Sequence, residues 1–472
     1  MNKTRIVATV GPATDETDVM KAVLTAGANV LRFNFSHGTL QEQKIRLDAA
    51  RAVSAELGIP VAYLMDTKGP EIRIKQFEDG EIFLRDGDIF TLCCGETQGD
   101  QTKVSVTYDR LSEEVKPGIS ILIDDGLIKL KVQKIEGENI VCEVINGGEL
   151  KNNKSINLPD VSIKLPSLNV KDIEDIKFAI ANEFDFIAAS FVRTQEDVFA
   201  VRGILNAYGG DEIKIISKIE NREGVNNVDS IIKVCDGLMI ARGDLGVEIP
   251  PEEVPLIQKE FITKSNAAGI PVITATQMLD SMIRNPRPTR AEVADVANAV
   301  FDGSDAVMLS GETAAGKYPE ASVKMMKKIV ELAEKHIDES SPAIQDIRQG
   351  DADITNTITY ASCMASKMIG AKVILTPTKS GYTSRMIAKQ RPGARIIAVS
   401  DSEIIQRRLL LTWGADTLLL EDCSNLNRVI NEAIKVLKQK EVLSEGDLVV
   451  VTAGLPMNVA GTTNTVRIEK VQ

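Results

Sequence analysis

The sequence predicts an α/β protein: a (β/α)8 barrel interrupted by an inserted all-β domain and followed by a C-terminal α/β domain. Three observations predict it. Short apolar runs alternate with amphipathic stretches from Ile6 to Asp66, and again from about Val170 to Ser341, which is the texture of βα units. Between about Pro70 and Leu168 apolar and polar residues instead alternate with a period of two. From about Asp353 the first texture restarts. At roughly 100–200 residues per domain, 472 residues accommodate about three domains. The expected limits are 1–69 with 169–342 for the barrel, 70–168 for the insertion and 343–472 for the last domain.

The elements follow in chain order. Met-Asn-Lys-Thr-Arg runs straight into the first strand, Ile6–Thr9, and does not resemble a signal peptide. Val30–Phe33, Val61–Met65, Phe186–Ser190, Ile213–Ser217, Leu238–Ala241, Val272–Ala275 and Ala306–Leu309 complete eight strand candidates. Eight strands with helical crossovers favour a closed barrel, whose chemistry gathers at the strands' C-terminal ends. A doubly wound sheet is the alternative, but no Gly-x-Gly-x-x-Gly fingerprint follows the first strand. In the insertion, Lys103–Tyr108 and Ile128–Val132 alternate, while Asp124-Asp125-Gly126 and Glu136-Gly137-Glu138-Asn139 signal hairpin turns. Lys68-Gly69-Pro70 suits a hinge, and Pro159 and Pro166 mark the return. In the last domain Val373–Leu375, Arg395–Val399, Thr417–Leu420 and Leu448–Val451 are the expected strands.

Composition narrows the function. A hydrophobic fraction of 43% is ample for sizeable cores. A net charge of −12 repels nucleic acid and anionic lipid, so neither is an expected partner. An anionic substrate must then be drawn by local cations, for which Arg32, Arg73, Lys154, Lys218 and Arg242 are candidates. Six cysteines without a Cys-x-x-Cys pair read as reduced, mostly core thiols. No apolar run is long enough to span a bilayer, and a cytoplasmic protein is expected.

Polar clusters end the barrel strands. Ile213, Ile215 and Ile216 lead into Lys218 and Glu220, which share one side of a strand. There a carboxylate suits a divalent cation, and an ammonium suits the charge of a transferring phosphoryl group. An ion pair at a strand end is the competing reading. Gly237–Gly246 repeats the plan: Asp244 can add a second carboxylate, and the amides of Gly243 and Asp244 can meet a substrate carboxylate. Val272–Leu279 ends in Thr276. Val30–Gly38 presents Arg32, Asn34 and Ser36 on one face, Arg32 being a bidentate phosphate donor. Val61–Pro70 ends in Asp66-Thr67. Asn34, Ser36, Asp66 and Thr67 offer oxygens with one formal charge, which suits a weakly charged cation. In the last domain Thr378–Thr383 joins a strand to a helix; its hydroxyls, lysine and amides suit a phosphate, or simply a capped helix start.

These segments resemble those of the pyruvate kinase family. The matches are Arg-Phe-Asn-Phe-Ser-His-Gly at 32–38, Asp-Thr-Lys-Gly-Pro-Glu-Ile-Arg at 66–73, Ser-Lys-Ile-Glu-Asn at 217–221 and Ala-Arg-Gly-Asp-Leu-Gly at 241–246. Thr-Ala-Thr-Gln-Met-Leu at 274–279, Asn-Pro-Arg-Pro-Thr-Arg-Ala-Glu at 285–292 and Leu-Ser-Gly-Glu-Thr-Ala at 309–314 continue them in family order. The resemblance implies that phosphoenolpyruvate gives its phosphoryl group to ADP, leaving an enolate that is protonated to pyruvate. It implies that Lys218 and Arg32 neutralise the moving group and that Thr276 positions the proton relay, which Ser310 and Glu312 extend. Arg32, Gly243, Asp244 and Thr276 match substrate contacts, and Asn34, His37, Arg73 and Lys154 match nucleotide contacts. Glu220 and Asp244 match ligands of Mg2+ or Mn2+, and Asn34, Ser36, Asp66 and Thr67 those of K+; Glu71 goes with dependence on K+.

The resemblance further implies that the insertion is a mobile lid and that the protein is a homotetramer. It points to an allosteric sugar phosphate on Thr378, Lys379, Ser380, Gly381 and Thr383: fructose 1,6-bisphosphate, with ribose 5-phosphate or AMP as runner-up. A second loop, 454–464, would face that site, with Asn458 where many relatives carry glycine. Neither His37 nor His336 looks like a general base. Two other function classes compete. A metal-dependent aldolase or lyase using Lys218 has no reason for Arg73, Lys154 and a lid. A non-catalytic sugar-phosphate sensor has no reason to keep Lys218, Glu220, Asp244 and Thr276 intact.

Overall fold

The structure, a computed structural model, describes residues 2–159, 161, 163–337, 353–457 and 461–472. Eight parallel strands close into a barrel in chain order: β1 (Arg5–Val10), β2 (Val30–Asn34), β3 (Ala62–Asp66), β4 (Phe186–Ala189), β5 (Lys214–Ile219), β6 (Gly237–Ala241), β7 (Val272–Ala275) and β8 (Ala306–Leu309). Strands covered on both faces need apolar residues throughout, which is why they read as continuous runs rather than alternations. Val7, Leu64, Ile216, Met239, Ile273 and Met308 fill the barrel's interior. Ile6, Leu31, Met65, Ile187, Ile215 and Ile240 pack outward beneath the helices. Capping boxes start the helices Leu40–Leu57, Val170–Ala181 and Arg290–Asp302 at Thr39, Asn169 and Thr289.

Two barrel strands sit further along the chain than expected. Val61–Met65 becomes Ala62–Asp66, and Ile213–Ser217 becomes Lys214–Ile219. Asp66 and Lys218 are thereby strand residues, because the backbone ladder continues through them: Asp66 lies in register with Asn34 and Ala188, and Lys218 with Met239.

The insertion leaves the barrel after β3. Its seven-stranded sheet runs Ile72–Arg73, Ser155–Asn157, Ser120–Ile123, Ile128–Glu136, Asn139–Asn146, Ile89–Cys93, Lys103–Ser105. Both expected hairpins are present, with Asp124, Asp125 and Gly126 at positive φ in one turn and Gly137 in the other. Alternating side chains such as Ile128, Leu130 and Val132 point into the insertion's own core.

The last domain carries a five-stranded sheet ordered β11 (Ala415–Leu419), β10 (Arg395–Ser400), β9 (Val373–Pro377), β12 (Leu448–Gly454), β13 (Thr463–Lys470). The antiparallel edge strand β13 was not expected. Its sequence, Thr-Asn-Thr-Val-Arg-Ile-Glu-Lys, is largely exposed and lacks the apolar run of a buried strand. Leu410 and Leu411 of this domain join the cluster inside the barrel, and Arg407–Asp185 at 2.9 Å and Arg391–Asp305 at 3.1 Å flank them. The expected 342/343 boundary and Asn458 lie outside the described residues. No helix among the described residues is long and apolar enough to cross a membrane.

Candidate functional site

The site is built at the C-terminal ends of the barrel strands around one buried cation. Lys218, near the end of β5, holds its Nζ 3.0 Å from Asp66 Oδ1 and 3.0 Å from Glu220 Oε1. Asp66, at the end of β3, also accepts from Arg32 Nε at 2.6 Å, and Arg32 Nη1 donates to Thr9 Oγ1 at 3.0 Å. Glu220 accepts from the Phe191 amide at 2.6 Å. All four charged groups are buried.

Burial disfavours the Lys218 ammonium, but Asp66 and Glu220 outweigh it and hold its pKa above the usual lysine range. Burial alone would raise Asp66; Lys218 and Arg32 reverse that and hold it below the usual carboxylate range. Glu220 differs. Burial, helped by Asp244, pushes it up to about 7 although Lys218 pulls the other way. Glu220 shares the Lys218 ammonium with Asp66 and faces Asp244, so a divalent cation between Glu220 and Asp244 would add the countercharge that one shared ammonium does not complete, and the residues fit such an ion. No group of three or more His, Cys, Asp or Glu side chains able to hold a metal exists among the described residues. Such an ion would therefore have to draw further ligands from substrate and water, as Mg2+ commonly does.

Ser190 was missed in the sequence. Lys218 Nζ donates to its Oγ at 2.7 Å, and that hydroxyl lies 2.6 Å from Thr67 O and 3.2 Å from Asp66 Oδ1. Its amide donates to Thr67 Oγ1 at 3.1 Å. Only a serine directly after an apolar strand hints at this, and such a serine is commonly a cap.

Thr276 lies just past β7 at φ +66 and Gln277 follows at φ +54. A β-branched residue in the left-handed region costs on the order of 1–3 kcal/mol, and its surroundings must hold it there. Arg242 does so: its Nη2 donates to Thr276 O at 2.8 Å and its Nε to Ala275 O at 3.2 Å. Asp295 grips the same guanidinium at 2.6 and 2.7 Å. This corrects the expectation that Arg242 is a cation for substrate; it is a brace, because each face of its fork is already engaged. The Gly243 amide donates to Thr276 Oγ1 at 2.7 Å, so a substrate carboxylate there must take over that donor. Glu312 accepts from the amides of Leu279 at 3.0 Å and Ser310 at 2.8 Å.

The other expected residues fall as follows. Asn34 and Asp66 are paired in register at the ends of β2 and β3, and Asn34 Oδ1 accepts from the Ser36 amide at 3.0 Å. Thr67 is buried beside them, and His37 is exposed on the following turn. Arg73 lines a cleft of about 590 Å³ between insertion and barrel, with Phe191, Asn221, Asp244 and Glu248 opposite. Its guanidinium is on Glu71 at 2.8 Å, and Lys154 is on Asp124 at 2.8 Å, so a nucleotide phosphate would compete with both carboxylates. At 378–383, Thr378 Oγ1 accepts from the Gly381 amide at 2.9 Å, and Thr383 Oγ1 lies 2.8 Å from Thr463 Oγ1. Lys379 is ion-paired with Asp401. Two of the loop's hydroxyls thus serve the fold; Ser380 is half-buried at the turn.

Comparison with known proteins matches residues 1–323 to the family profile "Pyruvate kinase, barrel domain" and residues 356–469 to "Pyruvate kinase, alpha/beta domain". The chain is 47% identical to a pyruvate kinase of Clostridium acetobutylicum over 473 residues, covering 100% of both chains. It is 47% identical to one of Geobacillus stearothermophilus over 471 residues, covering 99% of this chain and 80% of that one. Among solved structures, a pyruvate kinase from Cryptosporidium parvum superposes with a TM-score of 0.94 at 38% identity, over 100% of this chain and 96% of that one.

Proposed function

Because the chain belongs to the pyruvate kinase family and is a phosphotransferase, we propose that its barrel mouth moves the phosphoryl group of phosphoenolpyruvate to ADP, giving pyruvate and ATP. One observation carries this reading: a buried ammonium, Lys218, between two carboxylates, with Asp244 and a strained Thr276 at neighbouring strand ends. Lys218 and Arg32 present positive charge to the equatorial oxygens of the moving group. Asp66 and Ser190 fix where that charge sits. The Gly243 amide turns from Thr276 to the substrate carboxylate, and the released Thr276 hydroxyl positions the proton relay to the enolate, with Ser310 and Glu312 behind it. A divalent ion on Glu220 and Asp244, Mg2+ or Mn2+, and K+ among Asn34, Ser36, Asp66 and Thr67 would add Lewis-acid and electrostatic stabilisation. Arg73, Lys154, His37 and Asn34 would meet the nucleotide under the lid. The test is pyruvate formation from phosphoenolpyruvate in a coupled assay with Mg2+ and K+. Turnover that requires ADP supports the reading; absence of turnover overturns it.

The same reading carries four finer proposals. The domain limits are 1–69 with 169–342, 70–168 and 343–472. A sugar phosphate at 378–383 activates the enzyme. The enzyme works in the cytoplasm. It assembles as a homotetramer, supported by exposed Ile354, Tyr360, Met364 and Met368 on one helix and Val466 and Ile468 on β13. An apolar helix stripe beside a sheet edge is a surface that wants a partner.

A further inference from the structure

We propose that Asn157 and Glu248 form the latch that holds the lid closed, and that the latch ties the nucleotide half of the site to the metal half. The proposal rests on the phosphotransfer reading above. Asn157 Nδ2 donates to Glu248 Oε1 at 2.7 Å, across 91 residues of sequence, from insertion to barrel. Asn157 is only 8% exposed, so this contact is built into the joint between insertion and barrel rather than brushed at its surface. A carboxylate accepting from an amide makes a strong, charge-assisted bond.

What the two residues are attached to gives the contact its meaning. Glu248 ends the helix Arg242–Glu248, one turn beyond Asp244, and both line the cleft. Asn157 ends the strand Ser155–Asn157, which pairs with Ile72–Arg73 so that Ser155 lies opposite Arg73. Lys154 immediately precedes that strand, and its carbonyl accepts from the Ile74 amide at 2.9 Å. This side-chain bond therefore ties the lid strand beside Arg73 and Lys154 to the helix that carries Asp244. The lid tip reaches the same helix: a Cβ on Gly126 would sit 3.9 Å from Val247 Cγ1.

The hinge end is held differently. Arg193 donates to the carbonyls of Ile163 at 2.7 Å and Leu165 at 2.9 Å, and Asp197 braces it at 3.2 Å. At the outgoing end Gly69 adopts φ +71 where a Cβ would lie 2.7 Å from Ser190 Cβ, so the chain can cross the barrel mouth there only as glycine. The hinge end is held by a guanidinium on two backbone carbonyls, whereas the proposed latch joins two side chains that can part as the lid opens. Asn157 and Glu248 are positioning residues; neither touches the reacting atoms.

The experiment exchanges donor and acceptor. Asn157→Asp sets carboxylate against carboxylate and is expected to raise KM for ADP roughly tenfold or more, equivalent to about 1.4 kcal/mol, with a much smaller effect on KM for phosphoenolpyruvate. Glu248→Gln keeps the acceptor and is expected to behave like wild type. Asn157→Asp combined with Glu248→Gln restores the bond in reverse and is expected to recover KM. Lid closure is read separately from turnover by energy transfer between dyes on Phe83→Cys and Leu256→Cys; both sites are exposed, and the six native cysteines are buried. ADP is expected to close the wild type and the double variant but not Asn157→Asp. Unchanged closure and KM in Asn157→Asp would overturn the latch, as would a double variant that melts like wild type yet stays open. If Asn157→Asp fails to fold, Glu248→Ala replaces it with the same expectation. Absent pyruvate formation by a wild type whose lid still answers to the latch variants would sink the activity reading and leave the latch standing.

Discussion

Lys218→Met keeps the length of the side chain and removes its charge. The ammonium faces two carboxylates at 3.0 Å each. At an effective dielectric of 20, each such pair is worth about 5 kcal/mol of Coulomb energy before desolvation is subtracted. Breaking a buried pair by deleting one partner typically costs about 3–5 kcal/mol. Much of that cost is avoidable here. Asp66 keeps Arg32 at 2.6 Å, and Glu220, already pushed up to about 7, can take a proton. The variant is therefore expected to fold, with Glu220 shifted further upward. Two losses follow and can be separated by pH. Below the new Glu220 value the proton competes with the divalent ion, so metal binding weakens; above it the carboxylate is ionised and metal binding returns. Phosphoryl transfer should not return, because the missing donor is a transition-state charge whose removal typically costs ~10²–10³ in rate. The assays are Mn2+ titration, coupled pyruvate formation and exchange of pyruvate methyl protons with solvent, each run from neutral to alkaline pH. Exchange should be much less affected than transfer. Recovery of full phosphoryl transfer at alkaline pH would refute the assigned role, since the lysine would then have served only to keep Glu220 ionised.

Glu220→Gln and Asp244→Asn should each raise the Mg2+ or Mn2+ requirement strongly. In the wild type, apparent Mn2+ affinity should fall by up to ~tenfold per unit as pH drops below about 7, where Glu220 protonates, and level off above it; a flat profile from pH 6 to 8 places the ion elsewhere. Glu71→Lys should confer substantial activity in K+-free tetramethylammonium buffer, where the wild type should be poorly active, because an ammonium can stand in for a monovalent cation and a carboxylate cannot. Ser380→Asp should abolish any lowering of half-saturating phosphoenolpyruvate by fructose 1,6-bisphosphate, ribose 5-phosphate or AMP while sparing basal turnover; allosteric couplings are typically ~1–3 kcal/mol. A full response in Ser380→Asp would put the effector at another site.

The barrel was legible because a strand buried on both faces has to be apolar throughout and turns polar only at the mouth, as Ile213 to Glu220 does. The insertion was legible because alternation and Asp-Asp-Gly turns are local signals. What the sequence hid is what depends on distant partners. Arg242 looks like any cation until Asp295, 53 residues on, is found gripping it. Ser190 looks like a strand cap until Lys218 and Asp66 converge on it. The φ of +66 at Thr276 has no local signature, since nothing near Thr-Ala-Thr-Gln resembles the glycine or asparagine that such backbone usually selects. The strand Thr463–Lys470 escaped for the opposite reason: an edge strand exposed along most of its length carries too few apolar residues to declare itself.

Leu410 and Leu411 reach from the last domain into the floor of the barrel, where Leu411 is wholly buried among Val7, Phe186 and Ala306. The domain proposed to carry regulation is thus also a stopper. A chain cut before it would leave apolar strand ends open to water and two anchoring carboxylates, Asp185 and Asp305, without their arginines. Loss of activity in such a fragment would report a leaking floor, and would say nothing about whether a regulator had been removed. The same joint makes the domain hard to discard in evolution: a premature stop that removed it would also uncork the barrel, so any control carried there would be inherited together with catalysis.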